Sequence, residues 1–64
     1  MNKETLNVLE NIGTEMKDYR ERKGIKQAGL GRALGVSCKT ISAYELGNAT
    51  PRLKIVIRFL EILI

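Results

Sequence analysis

The residues best suited to do chemistry lie between Gln27 and Gly47, where the pattern predicts two short helices joined by a three-residue turn, Gly35-Val36-Ser37. On the second of these helices, Ile41 and Tyr44 are expected to face inward. Its other side then carries Cys38, Lys39, Ser42 and Ala43. A lysine ammonium donates hydrogen bonds, and a serine hydroxyl both donates and accepts them. Presenting such a helix on a bracing one is how small proteins place side chains in a DNA groove.

A second group of reactive side chains is acidic and lies near the N-terminus. It comprises Glu10, Glu15, Asp18 and Glu21. Paired carboxylates can act as general acid and base, but these lie on the exposed face of an amphipathic helix with no glycine-rich phosphate loop nearby. The chain has no histidine and one cysteine, Cys38, too few ligands for a zinc site. We therefore expect no enzyme activity, no metal and no cofactor.

Length and charge limit what the chain can be and what it would attract. Its 64 residues suffice for one small domain with a modest core. Residues 1–21 hold three basic and five acidic side chains, whereas residues 22–64 hold eight basic and two acidic ones. The net charge of the second part, +6, accompanies the two-helix segment and would attract phosphate groups. An ordinary solvated surface is the alternative interpretation of this charge.

The sequence also indicates where the protein works. It contains no apolar run long enough to cross a membrane. Its N-terminus, which is rich in lysine and contains glutamate, does not have the pattern of a signal peptide. The lone thiol is compatible with a reducing compartment, so we expect a cytoplasmic protein.

Apolar periodicity predicts four helices, at about residues 4–23, 27–34, 38–46 and 51–63, and therefore an all-α fold. In the first helix Leu6, Leu9, Ile12, Met16 and Tyr19 recur at spacings of three and four. Gly13 interrupts this stripe, so the helix could instead begin near Asn11, a good N-cap. Residues 1–11 are therefore either an arm or an extension of the first helix, and residues 12–64 form the domain proper.

The next two helices should pack through short apolar faces. The second is expected to bury Ala28, Leu30, Ala33 and Leu34. The third is expected to bury Ile41 and Tyr44, with Leu46 a further candidate. Gly31 could serve a close helix crossing, whereas nothing in the sequence explains Gly29. Gly24 and Gly35 are suited to end helices in the left-handed conformation, and Ser37 is a natural N-cap.

The fourth helix should begin with Thr50 as N-cap and Pro51 at the first helical position. Its apolar residues fall on two faces. One face comprises Leu53, Val56, Ile57 and Leu60, and the other comprises Ile55, Phe59 and Ile62. A single small core cannot easily cover both, so we expect one of them to contact a partner.

Several residue combinations are more specific than the turn alone. They are Ile12-Gly13, Met16-Lys17, Tyr19-Arg20, Lys23-Gly24-Ile25-Lys26-Gln27, Leu30-Gly31, Leu34-Gly35-Val36-Ser37, Thr40-Ile41-Ser42, Tyr44-Glu45, Gly47 and Pro51-Arg52-Leu53. With them the chain resembles, over about four-fifths of its length, the Xre/Cro/C1-type helix-turn-helix family of lambdoid phage repressors and small bacterial regulators. It departs from the family at Gly29, where Glu is usual, and at Leu46, where Asn or Arg is frequent. The family's fifth helix has no counterpart in these residues.

The resemblance implies a compact, lambda-repressor-like domain whose third helix enters the major groove of duplex DNA. It implies base contacts by Cys38, Lys39, Ser42 and Ala43. It implies contacts to backbone phosphates by Gln27, Thr40, Asn48, Thr50 and Arg52. Lys39 is the strongest expected base reader, because its ammonium can donate to guanine O6 and N7.

The resemblance further implies an ion pair between Arg20 and Glu45 and a homodimer, for which Ile55, Phe59 and Ile62 form the candidate surface. We expect a bacterial or phage-encoded transcriptional regulator, with repression favoured. Its operator would be a pseudo-palindrome with half-site centres about 34 Å apart. Two alternatives stay open: an antitoxin whose main partner is a toxin protein, and a helix-turn-helix module that binds proteins.

Overall fold

The computed structural model describes residues 11–64, which form four helices: α1 (Ile12–Lys23), α2 (Gln27–Leu34), α3 (Cys38–Leu46) and α4 (Leu53–Leu63). All regular secondary structure in residues 11–64 is helical, which confirms the predicted all-α fold. The bounds of α2 and α3 coincide with the predicted ones. The predicted helical residues 4–10, with Glu10, Leu6 and Leu9, lie outside the described residues.

The predicted helix ends at glycine are confirmed in α1 and α2. The left-handed backbone of Gly24, with φ 68°, ends α1, and that of Gly35, with φ 79°, ends α2. Glycine adopts this conformation without the steric penalty of a Cβ atom. At its other end α1 begins at Ile12, with Asn11 in the N-cap position and its carbonyl oxygen accepting from the Glu15 amide at 2.9 Å.

All four helices contribute to one apolar core. Its fully buried side chains are Met16, Leu30, Leu34, Ile41 and Phe59. Tyr44 and Val56 are nearly as well buried. The rings of Tyr19 and Phe59 meet edge to face, with centroids 5.9 Å apart, and so join α1 to α4. Burial of this apolar surface is the main force that holds the four helices together.

Two glycines allow close backbone approach. A Cβ atom on Gly13 would overlap the carbonyl oxygen of Tyr44, so α1 crosses α3 at a distance that no other residue permits. A Cβ atom on Gly31 would lie 2.5 Å from the carbonyl oxygen of Val36, so Gly31 serves the packing of α2 against the following turn. Gly29 has no such neighbour, since its Cβ atom would meet only the Ile25 side chain at 3.8 Å.

Three of the apolar residues expected to face inward are exposed. On α2, the core is reached by Leu30, Gly31 and Leu34. At 3.6 residues per turn, Ala28 and Ala33 each lie roughly 100° or more from the centre of that stripe, and both are exposed. Leu46, in the last turn of α3, is 71% exposed. The predictions that these three side chains are buried are wrong.

The predicted start of α4 is also wrong. Arg52, not Thr50, takes the N-cap position, and Leu53 is the first helical residue. The backbone of Arg52 is extended, with ψ 159°, and its carbonyl oxygen accepts from the amides of Ile55 and Val56 at 2.9 and 3.0 Å. Pro51 is buried in the preceding loop and therefore comes before the helix.

The core-facing side of α4 combines residues from both predicted faces. Val56 and Phe59 are buried, and Ile55 and Leu63 pack against the core. The prediction of Phe59 as part of a dimer surface is therefore wrong, because its side chain is fully buried within the protein. The apolar side chains of α4 left most exposed are Leu53, Ile57 and Ile62, and Ile64, which follows the helix, is also exposed.

Candidate nucleic-acid interface

The N-terminus of α3 is capped by Ser37, as predicted. Its hydroxyl oxygen accepts a hydrogen bond from the Thr40 amide at 3.1 Å, which satisfies one of the free N–H groups of the first turn. The Ser37 and Thr40 hydroxyls also lie 2.9 Å apart, within hydrogen-bond distance. The Thr40 hydroxyl, expected to touch a phosphate, thus already has a partner in the cap.

The outward side of α3 carries the four residues expected to contact bases. Cys38 and Lys39 are exposed, and Ser42 and Ala43 are half-buried. Ile41 and Tyr44 anchor the opposite side in the core. Lys39 is the only charged residue on this outward side, so its ammonium is the strongest hydrogen-bond donor there.

An ion pair joins α1 to the last turn of α3. Nε and Nη2 of Arg20 donate to the two carboxylate oxygens of Glu45 at 2.9 and 3.1 Å. Nη1 of Arg20 donates to the carbonyl oxygen of Ile25 at 3.3 Å, so the same guanidinium also holds the turn between α1 and α2. The hydrogen bond to Glu45 raises the pKa of Arg20 above its usual value, which keeps the guanidinium charged.

Gln27, the first residue of α2, also contacts this ion pair. Its side-chain Nε2 donates to Oε1 of Glu45 at 3.2 Å. The Glu45 side chain is only 4% exposed, and three donors satisfy its two oxygens. The amide of Gln27, expected on a phosphate, is therefore directed at α3.

The loop after α3 exposes the remaining residues expected to touch phosphates. They are Asn48, Thr50 and Arg52. Gly47 takes a left-handed conformation, with φ 78°, and the Asn48 amide donates to the Ala43 carbonyl oxygen at 2.9 Å. This hydrogen bond folds the loop back against the end of α3, so that Asn48 lies beside Ala43 on the outward side of the helix.

Other kinds of site find little support in the described part of the chain. Within residues 11–64, no three Cys, Asp or Glu side chains lie together as a metal site would require. Asp18 and Glu21 are exposed, and Asp18 pairs with Arg22 at 3.0 Å. No helix among these residues has the length and apolar character needed to span a membrane.

Comparison with known families agrees with this geometry. Residues 11–63 match the family described as "Helix-turn-helix domain". The chain belongs to the helix-turn-helix domain family. From their order in the motif, α2 is here named the bracing helix and α3 the recognition helix, and residues 35–37 form the turn between them.

A curated relative carries the same type of domain within a much longer protein. It is named "Putative HTH-type transcriptional regulatory protein", comes from Methanoregula boonei, and is 43% identical over 49 residues. The match covers 77% of this chain but only 15% of the relative. No solved structure matches the chain.

Arg58 contacts the helix-turn-helix motif from α4, although no pattern in the sequence marks it as a functional residue. Nη1 of Arg58, on α4, donates to the carbonyl oxygen of Leu34 at 3.1 Å and so caps the bracing helix. The guanidinium lies over Gly35, where a Cβ atom would be only 2.6 Å from Nη1. Because Leu34 and Arg58 are 24 positions apart in the sequence, no local signal marks their contact.

Proposed function

We propose that this chain binds duplex DNA in a sequence-dependent manner, with the recognition helix α3 in the major groove, and that it regulates transcription. The observation that carries the proposal is the outward side of α3, where exposed Lys39 lies beside half-buried Ser42 on a helix whose other side is buried in the core. A helix of this kind fits the width of the major groove. The name of the curated relative supports a role in transcription.

Base reading would centre on Lys39, with hydrogen bonding by Ser42 and contacts by Cys38 and Ala43. Lys39 would donate to guanine O6 and N7, and the methyl group of Ala43 would suit a thymine methyl. Asn48, Thr50 and Arg52 would position the domain on backbone phosphates. The structure supports a different role for the side chain of Gln27, which would orient α2 against α3 while the backbone N–H groups of the α2 N-terminus face a phosphate.

We further propose membership of the Xre/Cro/C1 subtype and action as a repressor. The ion pair between Arg20 and Glu45 supports the subtype, since it joins the two residues that the resemblance implies. Repression would follow from occupancy of a promoter.

A homodimer on a pseudo-palindromic operator completes the proposal. Leu53 and Ile57 are 73% and 47% exposed and lie one turn apart on α4, beside half-buried Leu60. An apolar stripe of this kind is typical of a surface that contacts a partner. Two domains joined there by twofold symmetry would each place α3 in a half-site, with centres about 34 Å apart.

Selection of bound sequences from a pool of random duplexes, at near-physiological salt, tests the proposed function. Recovery of one pseudo-palindrome with half-sites one helical turn apart is the expected result. Binding that yields no consensus and disappears as salt rises would mean only general attraction to phosphate. In that event the two alternatives, an antitoxin or a protein-binding module, would be favoured over a sequence-specific regulator.

A further inference from the structure

A basic groove lies between the turn of the motif and the start of α4. Its volume is about 370 Å³, and Val36, Tyr44 and Ile55 contribute apolar surface to it. Three cationic side chains line it: Arg52, Lys54 and Arg58. The volume falls in the range of small-molecule sites, about 300–1,000 Å³.

The three cations are not neutralised by acidic residues of the described chain. Within residues 11–64, ion pairs join Arg20 to Glu45 and Arg22 to Asp18, and neither involves a residue of the groove. Among residues 11–64, no acidic side chain lines the groove. Cations that converge on a concave surface with apolar walls concentrate a positive potential there, which attracts anions.

Arg58 is held in place before any ligand arrives. Its Nη1 donates to the carbonyl oxygen of Leu34 at 3.1 Å, and the guanidinium lies over Gly35. The remaining N–H groups of the guanidinium stay available to a ligand. A donor already ordered in the free protein loses less conformational entropy on binding.

We propose that this groove is a phosphate-binding site in which Lys54 and Arg58, with Arg52, bind the anionic oxygens. The ligand is either a phosphate of the DNA backbone or a free phosphate ester, since both present the same group. Only the DNA source rests on the proposed function. The DNA source is supported because Val36 directly precedes Ser37, the N-cap of α3, and because Arg52, which lines the groove, is itself one of the proposed phosphate contacts.

Two titrations on matched variants test the site. The variant is Lys54→Gln, because Lys54 is exposed and lines the groove. The control is Lys17→Gln, since Lys17 is an exposed lysine on α1 and its replacement removes the same charge outside the groove. The first titration adds pyrophosphate at low salt and follows backbone amide signals by NMR. The second measures how affinity for a duplex of roughly 30 base pairs, about three helical turns, depends on salt.

A site for free phosphate predicts saturable shifts confined to amides lining the groove, such as those of Gly35 and Val36, that are lost in Lys54→Gln and kept in Lys17→Gln. A site for the DNA backbone predicts that the salt slope of duplex binding falls by about one unit in Lys54→Gln and not in Lys17→Gln. If neither result is found, or if both variants behave alike, the site does not exist. A chain that binds no duplex at all would end the proposed function, and the pyrophosphate titration would still decide the fate of the groove.

Discussion

The side-chain amide of Gln27 donates to Oε1 of Glu45 at 3.2 Å, which ties the first residue of the bracing helix to the last turn of the recognition helix. The same carboxylate receives two hydrogen bonds from Arg20. One buried side chain thus connects α1, α2 and α3. The orientation of α3, and with it the placement of Lys39, depends on the charge and shape of Glu45.

The ion pair should show strong coupling between its two members. Removing Arg20 leaves the buried Glu45 carboxylate without its cation, and removing Glu45 leaves a half-buried guanidinium without its anion. For well-buried pairs such a loss costs about 3 kcal/mol or more, so a smaller cost is expected at this partly exposed pair. Arg20→Met and Glu45→Leu should each lower the free energy of unfolding, and the double variant should lose much less than the sum. Urea denaturation of all four proteins measures this, and additive losses would exclude the coupling.

Gln27→Ala should destabilise the domain through the same carboxylate. A hydrogen bond to a charged group contributes about 1.5–3 kcal/mol when buried, so a loss near the lower value is expected at this partly exposed site. The loss should vanish when Gln27→Ala is introduced into Glu45→Leu, because its acceptor is then absent. An equal loss in both backgrounds, measured by urea denaturation, would show that Gln27 acts elsewhere.

Gly29→Ala should stabilise the protein. Position 29 is helical, its φ is negative, and an added Cβ atom would meet only the Ile25 side chain at an ordinary distance. Replacing glycine with alanine inside a helix should therefore raise the free energy of unfolding by about 0.5–1 kcal/mol. The matched control is Gly31→Ala on the same helix, which should be destabilising because its Cβ atom would press on the Val36 carbonyl oxygen. Thermal unfolding that ranks the two variants in the opposite order would contradict this account.

Lys39→Ala and Arg52→Ala should weaken DNA binding in different ways. Loss of a base reader should cost about 1–3 kcal/mol on the preferred sequence and relax one base position. Loss of a phosphate contact should weaken all sequences alike and lower the salt slope by about one unit. Affinities of both variants for the selected sequence and for random duplex separate the two roles, and equal losses on both DNAs for Lys39→Ala would remove its reading role.

Ile57→Lys should dissociate the proposed dimer. A charge placed on the exposed stripe of α4 would have to be buried in the interface, which costs far more than it does in the free domain. Ile62→Lys is the control, because Ile62 is 36% exposed but lies on the other side of the helix from Leu53. Sedimentation velocity at matched concentrations measures both variants. Dissociation by Ile62→Lys alone would mean that the interface lies on the side of α4 that carries Ile55 and Ile62, as first predicted from the sequence.

Much of the architecture could be predicted because its signals are local. The left-handed ends at Gly24 and Gly35 and the cap at Ser37 depend on the backbone and side chain of residues near each helix end. The inward positions of Ile41 and Tyr44 follow from the helical period. By contrast, the start of α4 could not be predicted, because Thr50-Pro51 is an equally good local signal two residues too early.

The sequence by itself determined the four helices of residues 11–64, the turn between α2 and α3, and the presence of Lys39 on a side of α3 away from the core. The tertiary structure alone decided which side of α4 is buried, that Gln27 donates to Glu45, and that Arg58 caps α2 beside a basic groove. The hydrogen bond of Gln27 joins residues 18 positions apart, and that of Arg58 joins residues 24 positions apart. Local preferences act over one helical turn, whereas the choice among distant partners is made by packing.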